Sequence, residues 1–418
     1  MFVAIGNTPR DYAWGSTSAI AEFRGVEPSG SPEAELWLGA HEGSPARVHD
    51  AASVGHDDLA AWIANDPERA LGAGPAAQGA RLPFLLKVLG AAGPLSLQAH
   101  PSPEQARAGF AREEAEGIPL NAYDRNYRDP YHKPELIVAV SDEFHALSGF
   151  RPLDEVSGIL GVLRVADAAT DEPQPGALDL LADRLGTAEP LRDTVEWLLR
   201  DGRGEDTGEA AWVIERVTAL AGTEIALGSA YADSFETVGR LAEAFPGDPG
   251  VVISLLLNRV TLRRGEALYL AAGNIHAYLS GLGIELMAAS DNVLRGGLTP
   301  KHIDVDELLD VLDFSPIPPP RLEPEPVGDA VVAFRPDVPD FVLYRAEPAR
   351  RTAARVPVSG PAIVLAEGGA VHLRGAHGEA SLVRGSAVFV TPDEGELVVS
   401  GDGIAWIATT GAPAASSA

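Results

Sequence analysis

The sequence contains no cysteine, and this absence excludes disulfides, thiolate nucleophiles and cysteine-ligated zinc together. Any metal must be held by nitrogen and oxygen. Long apolar stretches are missing too: the longest strongly apolar run, Val251 to Leu257, falls far short of the ~18 residues that suggest a membrane span. The opening MFVAIGNTPRDYAWG has a short apolar run with no basic residue ahead of it, so no signal peptide is expected and a cytoplasmic protein is. Positive charge is also scarce. With 32 basic against 60 acidic residues the formal net charge is -28, which argues against a nucleic-acid or anionic-membrane binder. Among the basic residues lysine is the rarest, confined to Lys87, Lys133 and Lys301. Lysine is a compact cation with an adjustable pKa, so the positions that keep it are candidates for that chemistry.

What is present is the composition of a soluble globular protein, 418 residues long and 45% hydrophobic, with room for two or three domains. The segment Leu95 to Pro101 alternates as a strand whose faces differ: Leu95 and Leu97 point one way, Ser96, Gln98 and His100 the other. An amide oxygen and an imidazole two residues apart on one strand face can reach a single ion. The strand ends there, because Ser102-Pro103-Glu104-Gln105 is a capping box with proline at the first helical position, and the helix runs toward Gly117. Lys87 is the one charge inside the apolar run Leu82 to Leu89. Lys133 and Glu135 share a face at the mouth of the apolar strand Leu136 to Val140, with Pro134 suited to a strand's first residues or an edge. Burying Glu135 there costs desolvation unless it is paired or ligates a cation. His132 faces the other way and reads as structural. His276 and Tyr278 lie on one face after a Gly273-Asn274 turn, and Glu285, Asp291 and Arg295 follow among small residues. Glu35, in the short strand Glu35 to Leu38, reads as a strand-end charge.

The fold class expected is mainly β with a helical insert. Asp57 to Leu71 predicts a short helix, and residues 153–250 read as several amphipathic helices, with strand character returning at Val251. Asp304 caps a helix through Leu312, and Pro316-Ile317-Pro318-Pro319-Pro320 opens a stiff linker over 316–327. Residues 328–410 are strand-like again, and Arg384 to Val390 repeats the pattern of Arg264 to Leu270, so the chain uses one β unit twice. Eleven residues beyond the glycine of each copy stand His276 and Glu396, and the Gln-x-His pair has no counterpart, so the second unit is expected to bind no metal. Residues 411–418 read as a frayed tail.

Gln98, His100, Glu135 and His276 together suit one divalent ion such as zinc, manganese or ferrous iron, with a position left for water or substrate. LSLQAHP, DPYHKPELIVAV, HALSGFRP and HAYLSG with IELMAASDNVLRGGLTPK resemble the type I mannose-6-phosphate isomerases, and AELWLGAHEGSP and PFLLKVL match as well. The resemblance covers most of residues 1–315 in order; beyond that it extends only to a second, degenerate jelly roll. It implies a cupin-type (double-stranded β-helix) catalytic domain over 1–152 and 251–315, an all-α insert over 153–250, and a second cupin-type domain over 328–410. It also implies zinc on Gln98, His100, Glu135 and His276, the active-site arginine at Arg295, and a pocket using Ser96, Lys87, Lys133, Tyr278, Glu285, Asp291 and Lys301. The activity implied is mannose 6-phosphate to fructose 6-phosphate interconversion, feeding mannose and GDP-mannose metabolism, by a monomer or weak homo-oligomer.

In such a reaction the metal and Arg295 hold the enediolate charge, Lys87 and Lys301 the phosphate, and Lys133, Glu285 and Asp291 are the proton-transfer candidates. Tyr12-Ala13-Trp14-Gly15 and the Asn274-Ile275 pair depart from the family's usual residues at peripheral positions. A ferrous cupin oxygenase would share two histidines and a carboxylate, but Gln98 and the three lysines favour an anionic sugar. A non-catalytic sugar-phosphate-binding cupin would not need Arg295, Asp291 and Lys133.

Overall fold

The structure is a computed structural model that describes residues 1–73, 79–203, 208–349 and 352–411. The tail expected over 411–418 lies outside them except for Gly411. The N-terminal two thirds supply β1 (Phe2–Gly6), β2 (Glu35–Leu38), β3 (Arg47–Val48), β4 (Phe84–Ala91), β5 (Leu97–Ala99), β6 (Glu135–Ala139), β7 (Glu143–Phe150), β8 (Leu257–Arg263), β9 (Ala267–Leu270), β10 (His276–Ala288) and β11 (Leu294–Gly297). The long strand β10 is the spine. Its first residues pair antiparallel with β5 and β7, its last with β4 and β6. The change of partners falls at a bulge between Tyr278 and Ser280 and at Gly281, whose φ of 122° and close approach to Glu143 and Phe144 leave no room for a Cβ. His276 and Glu285 thus stand on two differently directed halves of one strand. β2 extends β4, β9 extends β6, β8 extends β7 and β11 extends β5. β4 and β6 are buried at every position, which explains their near-continuous apolar sequence.

The capping box after β5 forms as expected: Ser102 Oγ accepts from Gln105 N at 3.2 Å and Gln105 Oε1 from Ser102 N at 2.9 Å, with Gly117 left-handed at the helix end. The single helix expected over 57–71 is instead two, Leu59–Asn65 and Pro67–Leu71. Pro67 cannot continue a helix, and Asp58 and Asp66 each cap one of the two. The insert contains Leu153–Ala168, Pro175–Leu185, Pro190–Asp201, Glu209–Ala221 and Ala232–Ala244. Its apolar stripes share one core with Leu97, Ala99, Leu147 and Leu294 of β5, β7 and β11, so it buttresses the sheet from beneath.

The expected return of strand at Val251 needs correction. Gly250–Ile253 is a helical turn and Ser254–Leu256 a 3-10 turn, both buried, and β8 begins at Leu257. A short, wholly buried apolar run has no period to separate helix from strand. What decides it is Asp248, whose Oδ1 accepts from Gly250 N and from Leu298 N at 2.8 Å, holding the turn against the chain after β11.

The C-terminal part supplies β12 (Glu325–Gly328), β13 (Val331–Phe334), β14 (Val342–Ala346), β15 (Ala354–Val356), β16 (Ala362–Glu367), β17 (Val371–Arg374), β18 (Glu379–Leu382), β19 (Ala387–Val390), β20 (Leu397–Gly401) and β21 (Ile404–Thr409). β15, β20, β17 and β18 form one sheet; the other runs β12-β13-β14-β21-β16-β19-β1-β3. The first strand of the chain therefore belongs to the C-terminal sheet, with Phe2 opposite Val390 and Ile5 opposite Ala387. An expectation that keeps all of 1–152 with the first β unit fails for β1 and β3. One apolar core joins Val3, Ile5, Leu86 and Leu136 to Phe334, Ile363 and Trp406, so the two units share a buried face. The repeat seen in the sequence recurs in the backbone: Gly265 and Gly385 both have positive φ, and β9 and β19 each begin two residues later. The proline segment lies along the first unit, with Phe150 O accepting from Ile317 N and Pro320 O from Tyr269 N, both at 3.0 Å, and β12 starts inside the expected 316–327 span. No helix among the described residues is long and apolar enough to cross a membrane.

Candidate metal centre and substrate pocket

Three strands and one strand end converge on a buried donor cluster. His276 opens β10, Glu135 opens β6, Gln98 is the middle residue of β5, and His100 stands just past β5. His276 is the cross-strand partner of Gln98, which fixes the register of the first two. His100, Glu135 and His276 can each bring one donor atom within 4.8 Å of the others, and all three are almost fully buried. The second ring nitrogens are occupied: His100 Nδ1 donates to Asn292 O at 2.9 Å and His276 Nδ1 to Asn274 O at 3.0 Å. Both Nε2 lone pairs therefore face the cluster, in the tautomer a metal requires. His100 Nε2 and Glu135 Oε2 are buried without a hydrogen-bond partner, a state that is costly unless a cation completes them. Gln98 Nε2 is 3.3 Å from His276 Nε2, and turning the amide over brings its oxygen to the same place.

The local charges hold these donors in metal-ready form. Burial, reinforced by the Lys133 cation, pushes His100 down to about 4, keeping it a neutral imidazole. Burial alone would raise Glu135, but Lys133 and the two imidazoles hold its carboxyl well below the usual carboxylate range. Lys133 Nζ is 2.8 Å from Glu135 Oε1. A neutral-ligand and carboxylate set of this kind, without sulfur, fits zinc or another borderline divalent ion.

Beside the cluster lies a cavity of about 290 Å³. Nine residues singled out in the sequence line it: Lys87, Gln98, Lys133, Glu135, Tyr278, Glu285, Asp291, Arg295 and Lys301. All three lysines of the chain thus meet in one hollow, while surface charge is left to arginine. Ser96, His100 and His276 are not among the lining residues. A larger cleft of about 650 Å³ opens beside β7 and β8, but its Arg263 and Arg321 are paired with Glu143 and Glu266, and among the described residues no metal donor set converges there.

Two groups of charge divide the cavity wall. In the first, Lys87 on β4 faces its cross-strand partner Glu285, Nζ to Oε2 2.9 Å, and lies 3.6 Å from Glu35 on β2. Burial alone would lower Lys87, but Glu285, Glu35 and Glu135 together raise it. Burial raises Glu285 and Lys87 draws it back, yet the neighbouring Glu135 and Glu35 leave it above the usual range. The expectation that Lys87 joins Lys301 on a phosphate is therefore not met: Lys87 is held between two carboxylates. Replacing it, Lys87→Met, leaves both of them buried without their cation, and a loss of about 3 kcal/mol or more in denaturant unfolding is the expected result.

The second group is Arg128, Arg295 and Lys301. Burial and then the other two cations push Lys301 down, and burial and then Arg128 push Arg295 down. Among the described residues none of the three has a carboxylate within ion-pair distance. Three unpaired cations around one hollow make an anion site.

Sequence reasoning missed Arg128, and it gave no role to Glu35, Trp37 or His41, which also line the cavity. Their signal was there: Glu35 and Trp37 alternate on one face of β2, and Trp37 Nε1 donates to Glu35 Oε2 at 2.9 Å. Asn292 was missed as well. Besides accepting from His100, it donates through Nδ2 to Asp129 O and Tyr131 O, tying the chain after β10 to the segment before β6. His132, read as structural, pairs with Asp340 of the C-terminal part at 2.8 Å.

A buried nitrogen and oxygen donor set opening onto a cavity with unpaired cations defines a metal-dependent enzyme site for an anionic small molecule. Known proteins narrow the class. Residues 2–153 match the family model of the phosphomannose isomerase type I catalytic domain. Mannose-6-phosphate isomerase of Escherichia coli (strain K12) is 38% identical over 95% of this chain and 96% of its own length, and that of Mus musculus 30% identical over 93% of each. A zinc-bound crystal structure of mannose 6-phosphate isomerase superposes with a TM-score of 0.84 at 34% identity, covering 98% of this chain and all of the other. The chain belongs to the type I mannose-6-phosphate isomerase family.

Proposed function

We propose that the chain is a zinc-dependent aldose-ketose isomerase interconverting mannose 6-phosphate and fructose 6-phosphate through an enediolate. The observation that carries this reading is the opening of the His100, Glu135 and His276 donor cluster, through Glu135, onto the cavity that the unpaired cations Arg128, Arg295 and Lys301 line. Zinc would be held by Gln98, His100, Glu135 and His276, and would supply a Lewis acid at the sugar oxygens. Arg128 and Lys301 hold the phosphate dianion. Arg295, cross-strand from Gln98 and beside both of those cations, stabilises the negative charge that develops when the proton leaves carbon.

Isomerisation needs a group that takes a proton from the carbon next to the carbonyl and a group that gives one to the neighbouring position. Glu285 and Asp291 fit these roles because their surroundings push them in opposite directions, Glu285 up and Asp291 down. We assign Asp291 as the base and Glu285 as the acid. Lys133 stays with Glu135 and keeps that ligand in place. The Tyr278 hydroxyl is buried without a hydrogen-bond partner, and burial next to Glu285 raises its pKa, so it remains a donor to a sugar oxygen.

We also read the two β units as cupin-type double-stranded β-helices, the second without metal, with 153–250 as the insert, 316–327 as the linker and 328–410 as the C-terminal domain. The repeated left-handed glycine and strand support this reading. The net charge of -28 supports a cytoplasmic, non-nucleic-acid-binding protein. A monomer or weak homo-oligomer remains our expectation.

The test is a coupled assay of mannose 6-phosphate conversion to fructose 6-phosphate on metal-analysed protein, before and after chelation and zinc return. Activity that disappears with the metal and returns with zinc is the expected result. Metal-loaded protein that is inert on this substrate would refute the assignment.

A further inference from the structure

His41 lies in the loop after β2 and lines the substrate cavity, and nothing in the proposed chemistry uses it. Its ring is held from three sides. Gly43 N donates to Nδ1 at 3.1 Å, Trp37 meets the ring edge-on with centroids 5.0 Å apart, and Nε2 lies 3.3 Å from Asp291 Oδ1. Because Nδ1 accepts the Gly43 proton, the neutral ring must carry its own hydrogen on Nε2. That nitrogen is the one 3.3 Å from Asp291 Oδ1. His41 and Asp291 also line an adjoining cleft of about 430 Å³, so the pair forms part of the partition between the substrate cavity and that cleft.

We propose that His41 is a positioning residue for the isomerisation, presenting Nε2–H to the Asp291 carboxylate and fixing that group in one orientation on the cavity wall. The proposal rests on the reading of Asp291 as the proton-transfer base. Without His41 nothing on β2 or its loop would hold Asp291, whose backbone alone is anchored, its N–H donating to Asp129 Oδ2 at 2.9 Å. The charged groups that face Asp291 are His41 from the β2 loop, Arg128 and Asp129 from the segment before β6, and Lys133 at its mouth. Burial by itself raises the Asp291 carboxyl, but His41 and then Lys133 and Arg128 leave it below the usual range. Loss of His41 raises it, so the acidic limb of the activity profile, where the base must be ionised, moves to higher pH.

The experiment compares the zinc-loaded wild type with His41→Phe, His41→Gln and Asp291→Asn in the same coupled assay across pH. Phenylalanine keeps the packing against Trp37 and removes the donor; glutamine restores a donor near the Nε2 position. Expected are a fall in kcat of about tenfold or more for His41→Phe with KM changed little, an acidic limb displaced to higher pH, and partial recovery of both in His41→Gln. His41→Phe with wild-type kcat and profile while Asp291→Asn is inactive would overturn the role of His41 alone. A loss in His41→Gln equal to that in His41→Phe would overturn it too, since the donor would then be irrelevant. Full activity in Asp291→Asn would instead remove the base assignment and the inference with it.

Discussion

Glu135→Gln is expected to lose its metal and its turnover together. The substitution keeps the shape of the side chain but removes the one negative charge among the four proposed ligands and leaves Lys133, 2.8 Å away, without its carboxylate partner. A divalent ion would then enter a buried site containing a lysine and no carboxylate ligand, which is electrostatically unfavourable. Metal analysis after dialysis should find the variant essentially empty, and activity should fall by about a thousandfold or more. Thermal melting gives an independent check. Zinc that binds only the folded protein raises the melting temperature of the wild type, and that rise should vanish in the variant. A variant that keeps stoichiometric zinc would show that Glu135 is not a ligand.

Arg295→Ala is the second large effect, and it should separate what the first one couples. Arg295 is on β11 and pairs in register with Gln98, but its own surroundings are the cations Arg128 and Lys301 rather than the metal donors. Its loss should leave metal content unchanged and lower kcat by about a hundred- to a thousandfold, the scale on which removing one preorganised charge-stabilising donor acts. KM should change little, because Arg128 and Lys301, which hold the dianion, remain. Loss of zinc together with activity would place Arg295 in the support of the metal centre instead.

How much of this was legible beforehand depended on whether a residue's signal was local. Gln98 and His100 two apart, Lys133 and Glu135 two apart, and His276 after a glycine turn all follow from strand period and turn chemistry, which act over a few residues. The rarity of lysine was a compositional signal of the same kind, and all three lysines do line one cavity. Other features needed the third dimension. Glu35 looked like a strand-end charge because its partners, Lys87 and Trp37, reach it across and along the sheet. Arg128 is one arginine among many until β11 and Lys301 are brought beside it. The run from Val251 had no period to read, and its helical turn is set by Asp248. Ser96 failed for the opposite reason: strand period was assumed from Leu95 on, but β5 spans only Leu97–Ala99, and ahead of it the alternation breaks, so that Leu95 rather than Ser96 lines the cavity.

The pairing of β1 with β19 sets an order of events during synthesis. Phe2 and Val390 are opposite each other, so the first strand made waits for nearly the whole chain before its central neighbour exists. Until then Val3 and Ile5, both buried in the finished protein, have no permanent place and must be shielded by transient contacts. The donor strands β5, β6 and β10 lie well upstream of β19, and their ladders can close while that partner is still unmade. The metal pocket can therefore be assembled on a nascent chain whose opening residues are still unsecured, and closure of the shared core comes last.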